Sequence, residues 1–247
     1  MIIPNIITAL FLALAISNTA LAQTFSSTEQ QVNLVELYTS EGCSSCPPAD
    51  KWLSSLKHQS GLWTHFIPLA FHVDYWDYIG WKDPFAKPRH TQRQYQYQHA
   101  NNIRSIYTPG VIVNGQEWRA WRRSVLPEHH AENAGKLSIK VDVNKQLSAE
   151  YQADIAKNQT LVLNIALLGF DLTSKVQKGE NTGRTLQHDF VVLGYRTVAM
   201  QPNTKGFYTH SVELPAISTD SPQTAIATWV NTPKNPSPIQ ATGGWLN

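Results

Sequence analysis

Val35-Glu36-Leu37-Tyr38-Thr39-Ser40-Glu41-Gly42-Cys43-Ser44-Ser45-Cys46-Pro47-Pro48-Ala49-Asp50 carries both cysteines of the 247-residue chain. Its first part, extended back to Val32, is an apolar run bounded by turn formers and reads as a strand. After the Ser-Glu-Gly turn, Ala49, Trp52, Leu53 and Leu56 recur at helical spacing. Pro47 and Pro48 fall in the first turn, where proline is tolerated. Phe66 to Val73 is a second apolar strand. Strand, helix and strand in this order favour a right-handed parallel unit. A Cys-x-x-Cys pair between strand and helix has the context of a thiol–disulfide redox motif.

The thiolate is the reactive form of cysteine, and a helix N-terminus lowers the thiol pKa. Cys43 precedes the helix and is expected to be the exposed, attacking thiol. Cys46, at the first turn, is expected to resolve the mixed disulfide. Glu36 has two readings: a buried proton acceptor for Cys46, because burial raises a carboxyl pKa, or a strand-edge glutamate facing water. Glu41 would oppose thiol ionisation if close. An alternative is a metal site, with Cys43, Cys46 and His72 binding Cu(I) or Zn(II). The plainer reading of His72 is a hydrogen-bonded histidine at a strand end. The primary reading needs no cofactor.

A formal charge of +2 with no basic run gives no sign of nucleic acid as a partner. Ile6 to Ile16 is apolar, and Ala20-Leu21-Ala22 before Gln23 is a small-x-small cleavage signature. Residues 1–22 therefore read as a secretory signal peptide, although Met1 to Asn5 holds no Lys or Arg. The run is too short to span a bilayer comfortably, so no membrane span is expected after cleavage. The expected location is periplasmic or secreted. A bridge between the two cysteines closes a loop of about four residues, worth only about 2 kcal/mol. Redox exchange or metal capture explains the pair better than stapling does.

Asp74 to Pro88 is an aromatic-rich insertion. Tyr75, Trp76, Tyr78, Trp81 and Phe85 could line a groove for an unfolded peptide or apolar ligand. More often such a cluster is a satellite core that pins a long insertion, and packing is the favoured reading. Thr91 to Asn101 reads as a helix. Thr108-Pro109 precedes the apolar Val111-Ile112-Val113 and the hairpin signal Asn114-Gly115. Trp118 to Val125 fits strand or helix. Pro127 to Gly135 marks a boundary, and Glu128-His129-His130 within it reads as a solvated linker. Beyond it, Leu137–Val143, Thr160–Leu168, Phe190–Met200, Tyr208–Leu214 and Ala225–Val230 read as strands of an all-β sandwich. Gly179 to Leu186, with His188-Asp189, is a glycine-bracketed turn or binding loop.

The Cys-x-x-Cys helix, the later Thr108-Pro109 and the strand after it together resemble the thioredoxin fold. The resemblance implies that Pro109 is cis against the cysteine pair and that Thr108 offers its backbone to a substrate strand. Copper-delivery proteins on that scaffold use two cysteines and a histidine. The longer stretches Val35–Asp50 and Phe71–Phe85, with Tyr107-Thr108-Pro109, Val113-Asn114-Gly115 and Gly179–Leu186, resemble a family of exported bacterial proteins. It is a thioredoxin-like group catalogued as domain of unknown function 1223. The expected fold is an α/β thioredoxin-like domain over residues 30–130, followed by an immunoglobulin-like β-sandwich over 136–247. The expected activity is thiol–disulfide exchange with extracytoplasmic protein thiols or a redox partner. Cys43, Cys46, Pro109 and Glu36 are its catalytic candidates, and Thr108, Tyr75, Trp76 and Trp81 its substrate-binding candidates. The rival is a non-enzymatic exported adaptor.

Overall fold

A computed structural model describes residues 22–128, 132–152, 159–217 and 219–247. The expected signal peptide, up to residue 21, and His129-His130 of the expected linker lie outside these residues. The first half holds β1 (Gln23–Ser26), β2 (Asn33–Thr39), α1 (Pro47–Ser55), β3 (Phe66–His72), α2 (Pro88–His99), β4 (Gly110–Val113) and β5 (Gln116–Glu117). The second half holds β6 (Lys136–Val141), β7 (Gln146–Gln152), β8 (Leu161–Phe170), β9 (Leu172–Lys175) and β10 (Thr185–His188). It continues with β11 (Val191–Met200), β12 (Tyr208–Glu213), β13 (Gln223–Thr232) and β14 (Asn235–Leu246). Trp118 to Val125, open on sequence, contains a 3-10 turn at Arg119–Arg123.

β2 and β3 pair in parallel with Thr39 opposite His72, as the strand–helix–strand order requires. β2 is buried along its whole length, the mark of a strand covered on both faces. β4 joins its other side antiparallel. β7 alternates exposed and buried residues, so only one of its faces meets a core. β8 is covered on both faces. Leu163, Ile165 and Leu167 face a core shared with Leu137, Ile139 and Leu147 of β6 and β7. Ala166, Leu168 and Phe170 face the main core with Phe190, Ala227 and Trp229.

The expected pairing of an α/β thioredoxin-like domain with a separate immunoglobulin-like sandwich is not the fold found. Strands dominate, fourteen against two α-helices among the described residues. One eight-stranded sheet runs β14-β13-β8-β11-β3-β2-β4-β5, taking strands from both halves of the chain. β11 lies antiparallel to β8 and meets β3 in parallel at Val191 and Ala70. The Ala70 N–H donates to the Phe190 carbonyl at 2.8 Å. This contact occupies the edge that β3 would otherwise expose as a row of unpaired backbone groups. A smaller sheet, β1-β6-β7-β12, packs on the second-half strands, and β9 and β10 form a separate hairpin. Alternation along a strand says which face is buried. It does not say which edge finds a partner, so the sequence could not show the two halves merging.

α2 is pinned to the large sheet by charge. Arg93 donates to Glu36 through Nε at 2.6 Å and Nη2 at 2.9 Å. The Tyr38 and Tyr97 hydroxyls also donate to the Glu36 carboxylate. The guanidinium lies 4.8 Å from the Trp229 ring centre, a cation–π contact. The whole arrangement is buried.

Candidate functional site

The motif turn begins where β2 ends. The Gly42 N–H donates to Ser40 Oγ at 3.1 Å, and the Cys43 N–H to the Ser40 carbonyl at 3.1 Å. Cys46 is the residue just before α1, whose first two positions are Pro47 and Pro48. Proline has no N–H, so the first turn offers few free donors to a thiolate. The Ala49 and Asp50 N–H groups both donate to the Cys46 carbonyl. Side chains do the work instead. A hydrogen bond from the Cys46 thiol, opposed by burial and aided by the Ser45 and Thr108 hydroxyls, lowers the Cys43 pKa to about 6. Burial, the bond to Cys43 and the charge of Asp50 push Cys46 well above the usual thiol range. Both cysteines are free thiols. Cys43 is buried, 1% exposed, against the expectation of an exposed nucleophile.

Three segments build the cover. The Thr108–Pro109 peptide is cis, and Thr108 Oγ1 accepts from Trp76 Nε1 at 2.7 Å. Tyr75 donates to Gln94 Oε1 at 3.2 Å and lies close enough to both cysteines for their charge to raise its pKa further, after burial. From the second half, the β9–β10 hairpin brings Asn181, which donates to the carbonyls of Glu41 at 2.9 Å and Cys43 at 3.0 Å. Glu180 accepts from the Ser44 N–H at 2.9 Å. Gly42 and Gly179 make this approach possible. A Cβ on Gly42 would stand 3.0 Å from the Trp76 Cβ and 3.1 Å from the Ile79 Cδ1. On Gly179, where φ is +78°, it would stand 2.8 Å from that same Ile79 atom.

Cys43, Cys46, Thr108, Pro109, Tyr75 and Trp76 are therefore one constellation. Trp81 stands beside it, donating to Glu41 Oε2 at 2.7 Å. Glu36 does not belong: it is neither a water-facing glutamate nor bonded to Cys46, but the buried partner of Arg93. Adjacent residues of a strand face opposite sides of the sheet, and Glu36 shares the face of Tyr38 and α2. His72 is fully buried, with Nδ1 on Asp83 Oδ2 at 2.7 Å. Among the described residues no group of three or more His, Cys, Asp or Glu side chains is placed to hold a metal ion, so the geometry lends the Cys43–Cys46–His72 site no support. No helix among them is long and apolar enough to cross a membrane.

The family model described as "Protein of unknown function (DUF1223)" matches residues 34–231. The chain belongs to the DUF1223 family. Two solved structures resemble this DUF1223 protein. Protein AGR_C_4864 from Agrobacterium tumefaciens is 24% identical, with a TM-score of 0.57 over 89% of this chain and 96% of that one. HBP35 of Porphyromonas gingivalis is 14% identical, with a TM-score of 0.57 over 89% of this chain and 76% of that one. At these identities the likeness shows the fold alone. No curated protein matches the DUF1223 chain.

Sequence reasoning missed four residues of the DUF1223 site. Asp50 lies one helical turn after Cys46, so its i+4 spacing was a signal to place it beside the resolving thiol. Burial lifts its carboxyl above the usual range, against the charges of His188 and His72. Asn181, Glu180 and His188 belong to the segment read as a turn or binding loop. They come from more than 130 residues away, and no local pattern says where a distant hairpin tip will dock.

Proposed function

We propose that the protein is an extracytoplasmic thiol–disulfide oxidoreductase acting on protein or small-thiol substrates. The observation that carries this reading is the asymmetry of the pair: Cys43 is poised as a thiolate near neutral pH and Cys46 is held as a thiol. The Cys43 thiolate attacks a substrate disulfide and expels one substrate thiolate. Cys46 then gives up its proton and attacks the Cys43 sulfur, expelling the second. The substrate gains two electrons, the pair loses two, and the reverse sequence oxidises a dithiol. Thr108 and Pro109, with Tyr75 and Trp76 above them, form the dock for the substrate sulfur. The leader-like residues 1–22 support export into an oxidising compartment. A Cys46→Ser variant is expected to accumulate mixed disulfides through Cys43, and failure to trap any thiol partner would overturn the reading.

The burial of both sulfurs favours a second reading, a non-enzymatic adaptor with a closed, minor bridge. In that case the native reduced protein resists alkylation at Cys43 as strongly as it does at Cys46.

A further inference from the structure

Away from the dithiol, a groove opens between α2 and the large sheet. One hollow of about 730 Å³ is bounded by α2, by Leu193 to Thr197 of β11 and by Pro215-Ala216. A second, of about 410 Å³, lies against the end of α2, β8 and the β13–β14 hairpin, and shares Arg93, Gln96 and Thr197 with the first. The two form one continuous groove. Arg89, Gln92, Gln96 and His99 line it at spacings of three and four, so one face of α2 is its wall. From Arg89 to His99 that wall runs about 15 Å. β11 shifts register between Val192 and Gly194, a bulge of the kind that bends a strand and re-aims its side chains. A Cβ on Gly194 would stand 2.7 Å from the Ala216 carbonyl oxygen, so glycine lets Pro215-Ala216 approach β11 and wall the first hollow. At the second, the Tyr97 hydroxyl donates to the Pro236 carbonyl at 3.2 Å and ties the β13–β14 hairpin to α2.

The chain is nearly balanced in charge, with 20 Lys and Arg against 18 Asp and Glu. The groove is not. Lys87, Arg89, Arg196 and Lys234 line it, and among the described residues no Asp or Glu lines either hollow. None of those four cations is ion-paired among the described residues. Arg93, on the floor, differs because Glu36 neutralises it. Backbone carbonyls hold two of the guanidiniums in place: Arg89 Nη1 donates to Tyr195, and Arg196 Nη1 donates to Glu213 at 2.8 Å. The rest of each planar fork is left for a carboxylate, with less side-chain entropy to lose on binding. Gln92, Gln96 and Thr197 are exposed along the same groove and offer both donors and acceptors.

We propose that this groove binds an extended acidic segment of a partner protein. Its carboxylates meet Arg89, Arg196 and the two lysines, and its peptide groups meet Gln92, Gln96 and Thr197. At about 3.3 Å per residue, about five residues fill the wall, and every second side chain faces the same way. Spaced cations with amides between them suit spaced carboxylates on a chain of peptide groups. A polyphosphate carries a charge on every unit and no N–H donor, so the Gln92 and Gln96 amide oxygens would go unused. None of these residues belongs to the dithiol site, and the assignment stands apart from the exchange reading.

The test follows the fluorescence anisotropy of a fluorescein-tagged octapeptide of alternating aspartate and serine, mixed with the mature protein at low salt. Saturable binding is expected, weakening as salt is raised. The same peptide with asparagine in place of aspartate should bind about tenfold more weakly or worse, because it loses the charge-assisted hydrogen bonds. Arg89→Gln and Arg196→Gln should each weaken binding of the acidic peptide about tenfold or more for the same reason. In the wild-type protein, bound peptide should slow phenylglyoxal labelling of Arg89 and Arg196, read by mass spectrometry, and leave exposed Arg119 unchanged. No binding, equal binding of the asparagine peptide, an affinity unmoved by both substitutions, or arginines that the peptide does not protect would overturn the proposal. Tighter binding of inorganic polyphosphate than of the peptide at equal charge would overturn the peptide as the occupant. If the variants do not fold, the wild-type labelling decides.

Discussion

The thiolate at Cys43 is held mainly by its neighbour, which is also a cysteine. Replacing Cys46 by Ala removes the leading cause of the low Cys43 pKa. The far-ultraviolet thiolate titration should move from a midpoint near pH 6 toward the free-thiol value of about 8.5; an unmoved midpoint would assign the effect to Ser45 and Thr108. The sign for stability follows. An acid whose folded pKa is depressed stabilises the fold above its unfolded pKa, and that contribution is lost as pH falls through the folded one. The reduced protein should therefore gain stability over the oxidised one between about pH 6 and about pH 8.5, read as the gap between their urea midpoints. Glu36→Gln tests a different residue. It leaves Arg93 buried without its counter-charge, and breaking such a pair costs about 3–5 kcal/mol. Urea unfolding should show that loss while ring closure between the cysteines keeps its rate; a loss below about 1 kcal/mol would contradict a structural role. Cys43, Cys46, Thr108 and Pro109 were legible as a site from spacing and resemblance. Asp50 was overlooked in favour of Glu36, because strand parity, which turns Glu36 to the α2 side, shows only once the sheet is known.

The β9–β10 hairpin is the cover of the dithiol. Its two hydrogen bonds from Asn181 are each worth about 1 kcal/mol net. Asn181→Ala should raise the alkylation rate of Cys43 about tenfold or more, measured by iodoacetamide labelling and mass spectrometry. An unchanged rate would mean that the aromatic insertion alone hides the sulfur. α2 carries a separate acid sensitivity. Burial, outweighing the bond from His90 Nδ1 to the His72 carbonyl, depresses His90 to about 3. Between that value and about 6.5 the unfolded chain binds the proton and the folded one does not, so this residue costs stability as pH falls through the window. His90→Gln removes the titration, and its acid-unfolding midpoint should fall below that of the wild type; an equal or higher midpoint would refute the assignment. Second-half strands such as β8, β11 and β13 were visible from their apolar runs. β7 and β14 were not, because polar residues or Gly and Pro interrupt them.

The whole molecule is held by one sheet spanning both halves. A fragment of residues 22–128 would expose the β3 edge where β11 sits and lose Phe170, Phe190 and Trp229 from the main core. It is expected to show no cooperative urea transition, whereas residues 22–247 unfold in one step by both fluorescence and circular dichroism. A folded fragment would mean that the sheet is two units lying edge to edge. Composition and alternation revealed many of the parts of this architecture, but their joining depends on edge pairing across long separations, which carries no periodic signal.

Asn181 reaches back 138 residues to the Cys43 carbonyl. Ribosomes add about 5–20 residues per second, so in each new copy the cysteines precede their cover by on the order of ten seconds. Until that segment is made, the cover that the β9–β10 hairpin lays over Cys43 cannot form, so the closed dithiol is a late product of synthesis.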